Sequence, residues 1–171
     1  MLDVNLNTNI ILKAWDRLPT ADKSELLYQL YSSNRKNKYL YFIINDNDKV
    51  SFVVTTSEKK MVKEYKPKFY GILYEVEKGW QKNIIKDWEE ILGIAPPKNL
   101  KDNYSIKQWA QNTAIQEGYK SLNSAIASWV ANVLYDNFNK TVSNIIKDVM
   151  DILSEKIAKL KPNKQVQKLE M

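Results

Sequence analysis

Three groups of residues in this 171-residue chain have types and spacings suited to binding or catalysis. Asn45-Asp46-Asn47-Asp48 offers alternating oxygen ligands of the kind that open a calcium loop. Asp148, Asp151 and Glu155 stand three and four apart, so a helix would carry them on one face, as in carboxylate metal sites of helical bundles. Arg35, Lys36 and Lys38 run directly into Tyr39 and Tyr41. Cations beside strand aromatics hold single-stranded nucleic acid by neutralising phosphate and stacking bases.

The first two groups fail on their missing partners. Counting from Asp46, position five is Val50, position six Ser51 and position twelve Ser57, where a calcium loop needs an oxygen ligand, glycine and glutamate. The turn reading fits better, because Asn and Asp tolerate the left-handed backbone of tight hairpins. The carboxylate trio has no histidine to complete it and lies off the Val149–Leu153 stripe, as a solvated acidic face does. Indeed the chain has no histidine and no cysteine at all, which removes imidazole bases, thiol nucleophiles and the usual zinc and iron–sulfur ligands. Glu75, Glu77, Asp87, Glu89 and Glu90 could pair as acid and base, but no local signal marks one with a raised pKa. Gly71, Gly79, Gly93 and Gly118 are isolated, so there is no glycine-rich phosphate loop. The expectation is a protein that is not an enzyme, with no catalytic residue, metal ligand or cofactor.

The third group survives, in a particular form. The net charge of +6 is spread along the chain: seven cations against six anions in residues 1–56, ten against eight in 57–104 and nine against six in 105–171. Local clusters are Arg35, Lys36 and Lys38; Lys59, Lys60, Lys63, Lys66 and Lys68; and Lys156 to Lys168. Only Arg17 and Arg35 are arginines. Lysine meets phosphate as a point charge, whereas bidentate reading of guanine favours arginine, so backbone contact with little base reading is expected. The nucleic-acid-binding set is therefore Arg35, Lys36, Lys38, Tyr39 and Tyr41. A second version sets the helix starting at Thr20 beside the hairpin, as helix and wing on duplex DNA. The structural competitor is that these tyrosines pack beneath C-terminal helices.

The scaffold for these residues is legible in periodicity and punctuation. Ile11, Ala14, Trp15 and Leu18 make one short helical stripe stopped by Pro19, and Leu26, Leu27, Leu30 and Tyr31 make the next, so residues 8–33 predict a helical hairpin. Residues 39–54 predict a β-hairpin turning on Asp46-Asn47, with Ile43 opposite Val50, Tyr41 opposite Phe52 and Tyr39 opposite Val54. From Phe69 the apolar positions Ile72, Leu73, Val76, Trp80, Ile84, Trp88 and Ile91 recur at threes and fours, predicting a helix from about Pro67 to the Gly93 and Pro96-Pro97 stop. Phe69 to Glu77 would also suit a strand. Ser105 with Gln108 reads as a capping box, with Tyr104 and Trp109 as its apolar staple, starting a helix at Ile106. The stripes Leu122–Ile126–Trp129–Val133 and Val142–Ile145–Val149–Leu153 lie on opposite sides of one helix. Asp136, Asn137 and Asn139 favour a break between them over a helix bridged by Val130, Leu134 and Phe138.

The architecture expected is mainly α with a small α+β N-terminal part: a helical hairpin, one β-hairpin, then long amphipathic helices forming a bundle. Its divisions are the two hairpins over 1–56, a helical bundle over 57–161 and a basic tail over 162–171, folding as one unit. No run is apolar enough for a membrane span, and the N-terminus has no signal-peptide character. That places the chain inside a cell or in a particle assembled there. The functional expectation is a self-assembling, homo-oligomeric, structural or coat-like protein touching nucleic-acid backbone through lysines. The alternative is a helical adaptor that binds protein and no nucleic acid.

Overall fold

The computed structural model describes residues 10–33, 35–84 and 87–156. Helices α1 (Ile10–Arg17) and α2 (Thr20–Tyr31) form the expected helical hairpin. Pro19, rather than Thr20, is the N-cap of α2, and its carbonyl accepts from the Asp22 and Lys23 amides. Strands β1 (Lys38–Ile44) and β2 (Val50–Thr55) form the expected hairpin. Its register is shifted by one residue: Ile44 faces Val50, Phe42 faces Phe52 and Leu40 faces Val54. The cause is a three-residue turn. Asp48 takes the left-handed conformation (φ 62°), and Asn45 Oδ1 accepts from the amides of Asn47 and Lys49, both at 2.9 Å. A one-residue slip exchanges the faces of a strand. Leu40, Phe42 and Ile44 therefore join the main core, and Tyr39, Tyr41 and Ile43 turn to the other side.

The expected helical bundle is not what forms. The fold is α+β, with a three-stranded antiparallel sheet of order β2-β1-β3. Its third strand, β3 (Phe69–Val76), occupies the first third of the helix anticipated from Pro67. The remainder of that stretch holds two five-residue helices, α4 (Trp80–Ile84) and α5 (Trp88–Leu92). The misleading signal has a physical origin. Leu40 pairs with Tyr74 and Tyr41 with Ile72, so Leu73 is an extra residue in β3. The bulge resets the alternation: Phe69, Gly71 and Leu73 face the core, and Tyr74 and Val76 then face it too. Buried positions Phe69, Leu73 and Val76 thus acquire the four-and-three spacing of a helix.

A helix not anticipated, α3 (Glu58–Tyr65), connects β2 to β3 and covers the second face of the sheet. Ser57 caps it by accepting from the Lys60 amide at 3.2 Å, and Lys66 closes it in the left-handed conformation. Met61 is its one buried residue, set against Tyr41 and Ile43.

Helix α6 (Asn103–Gln116) starts three residues before the expected position, because Asp102 accepts from both the amide (2.8 Å) and the hydroxyl (2.9 Å) of Ser105. Those bonds hold the Asp102 carboxyl below the usual carboxylate range. Tyr104 points to solvent and makes no staple. The last helix, α7 (Leu122–Lys156), runs through 136–140 without the expected break. Its large buried residues Leu122, Ile126, Val130, Phe138, Val142 and Ile146 fall at multiples of four, with Ala125 and Ala127 buried beside them. Each such step advances about 40° around a 3.6-residue helix, so the buried face winds around α7 as it crosses α2, the sheet and α1. The side chains of Asp151, Leu153 and Glu155 and the tail from residue 157 lie outside the described residues.

Candidate nucleic-acid interface

The loop between α2 and β1 carries the sequence-derived site, and the fold divides its members. Arg35 and Lys36 are exposed. Lys38 is not a free cation: its ammonium donates to the Gln29 carbonyl at 2.8 Å and to Ser32 Oγ at 2.7 Å, and burial lowers its pKa. Those partners are a last-turn carbonyl and the cap of α2, so Lys38 ties the end of the helix to the start of the strand.

The tyrosines are divided likewise. Tyr41 is 2% exposed, beneath Met61 of α3, and Tyr39 is half-buried beside it. Ring centroids stand 6.2 Å apart for Tyr39–Tyr41 and 6.0 Å for Tyr41–Tyr70. Burial, then the nearby Glu58 carboxylate, pushes the Tyr41 hydroxyl up to about 12. The Tyr70 hydroxyl donates to Glu58 at 2.6 Å and is raised by burial first and that bond second. These rings pack on one another and under a helix, which leaves Tyr41 no free face for a base. The cover is α3, not the C-terminal helices.

The lysines at 59–68 stand out in the sequence without an element to hold them. The fold places Lys59, Lys60 and Lys63 in solvent on the helix that seals the tyrosines, and Lys66 in solvent at its C-cap. None of the four forms an ion pair with a described residue. Lys68, by contrast, bonds to Asp48. That bond engages the half-buried carboxylate of the hairpin turn, and Asp46 is exposed. Among the described residues no three acidic side chains gather as metal ligands would. The helix-and-wing version is poorly served, because α2 carries Asp22 and Glu25 on the side that borders β2.

No protein family, curated protein or solved structure matches the chain. No described helix is long and apolar enough to cross a membrane.

Proposed function

We propose that the protein is a non-enzymatic structural or accessory protein that contacts nucleic-acid backbone through lysines, with α3 as the main contact and Arg35 and Lys36 as a secondary one. The observation that carries this reading is the set of exposed lysines Lys59, Lys60 and Lys63 on α3 and Lys66 at its C-cap, unpaired among the described residues. Isolated ammonium groups on a helix neutralise phosphates without reading bases. The tyrosines contribute rigidity to the surface beneath them rather than stacking.

Replacing Lys59, Lys60, Lys63 and Lys66 by serine tests the reading, with Arg35→Ser/Lys36→Ser as the comparison. Binding to unrelated single-stranded DNA and RNA, followed by fluorescence anisotropy at low salt, should weaken more than tenfold in the α3 variant and less in the loop variant. Unchanged binding in the α3 variant would remove that helix from the interface. The reading includes self-association, supported by Tyr104 and Ile115, 73% and 59% exposed and eleven residues apart on α6. That spacing is about three turns, so both stand on one side of the helix. Sedimentation of Tyr104→Ser/Ile115→Ser should show a smaller species than the parent protein.

A further inference from the structure

On the opposite layer from α3, the outer edge of β2 borders a groove whose other wall is α1 and α2. Two hollows of about 460 and 360 Å³ adjoin there, sharing Ala14, Leu18, Lys49 and Val50. A third continues the line past Gln29 and Ser32 to Val54 and Thr55. The strand along this groove has open main-chain groups. Asn45 donates to the Lys49 carbonyl, so pairs 45–49, 43–51 and 41–53 are the hydrogen-bonded ones, and the N–H and C=O of Val50, Phe52 and Val54 point away from β1. No described residue bonds to those outward groups. The strand Val50–Thr55 also lacks the lysine or proline with which natural edge strands discourage pairing.

Charge indicates what the edge receives. Lys13 and Arg17, one turn apart on α1, and Lys49 from the hairpin line the same hollow and are exposed. Its one acid, Asp48, is already bonded to Lys68. A second copy pairing through its own β2 would bring Val-Ser-Phe-Val-Val-Thr, which holds no carboxylate. Further along, the floor turns apolar at Leu26 and Phe52, with Asp22 and Glu25 on the α2 wall beside it, so the acid-accepting part of the groove is confined to the Lys13, Arg17 and Lys49 end. We propose that this groove docks an extended peptide segment of another protein as a fourth strand on β2. The segment's acidic side chains lie against Lys13, Arg17 and Lys49, and its apolar residues lie along Leu26 and Phe52. Main-chain bonding supplies affinity and the cationic end fixes direction. This site is independent of the phosphate contact on α3.

The probe is an N-acetylated, C-amidated peptide of alternating valine and threonine with two aspartates at one end, titrated into the isotopically labelled protein. Amide resonances of Val50, Phe52 and Val54 should shift. N-methylation of alternate peptide amides along one edge should abolish binding, while N-methylation along the other edge should spare it. The Arg17→Glu/Lys49→Glu variant should bind at least tenfold more weakly and should gain affinity for a peptide with lysines in place of the aspartates. Equal tolerance of both N-methylated peptides would overturn strand addition. So would self-association through β2 that the peptide fails to displace, since the edge would then belong to a second copy.

Discussion

Trp15 has no exposed surface, and its indole N–H donates to Asn139 Oδ1 at 2.8 Å. Phe52 and Phe138 meet the indole edge to face, with centroids 5.0 and 5.9 Å away, and the Lys23 ammonium lies 5.3 Å from it. Asn139→Ala sets two effects against each other. Alanine improves helix propensity by about 0.6 kcal/mol, while an orphaned buried donor costs about 1–3 kcal/mol. Urea denaturation should therefore show net destabilisation of about 0.5–2.5 kcal/mol, and a stabilised variant would mean the indole finds another acceptor. Asn139 also shows why residue-level reading falls short. Its low helix propensity suggested a break, whereas a partner 124 positions away uses the same amide to hold the helix in place. A second residue-scale expectation concerns alkaline pH. With the Tyr41 pKa near 12 against about 10 in the unfolded chain, the folded state retains a proton that the unfolded state releases. That contribution is complete below pH 10 and is lost as pH rises towards 12. Tyr41→Phe should make stability fall less steeply across that interval in chemical denaturation. Tyr31 and Tyr70, also raised, keep some slope. An unaltered slope would mean Tyr41 is open to water.

Elements were legible where the pattern was local. The α1–α2 corner needed only two stripes and a proline, and the β1–β2 hairpin only strand composition around Asn and Asp. The register was not legible, because a two-residue and a three-residue turn differ by the backbone of Asp48 alone. Helix α3 was hidden by its composition, Glu-Lys-Lys-Met-Val-Lys-Glu-Tyr, which offers too few apolar residues for a stripe. Strand β3 was misread because its bulge imitates helical spacing, although Gly71 held a clue. A Cβ there would stand 2.7 Å from Phe42 Cε2, so the ring of β1 lies across the bare backbone of β3. Gly71→Ala should cost about 1–3 kcal/mol through overpacking, read as a lower urea midpoint. A neutral result would require Phe42 to swing aside within a filled core, and a structure of the variant would show that.

At the scale of the whole molecule, the sheet separates two surfaces that the sequence presented as one. The basic loop and the strand tyrosines were adjacent in the chain and looked like a joint site. Register turned Tyr41 under α3, and Lys38 was consumed in joining α2 to β1. The lysines proposed as the main contact lie on or at the end of an element visible only after folding. If they hold phosphate by charge alone, the salt dependence of binding to unrelated single strands must report it, compared between the parent protein and the four-lysine α3 variant. Four phosphate contacts correspond to a slope of about −3 in log K against log salt. The expected result is that the slope, equal for DNA and RNA of any sequence, falls by about 3 in the variant, to the smaller slope that Arg35 and Lys36 sustain. Binding that is absent at low salt, or that keeps its slope when all four lysines are serine, would contradict it.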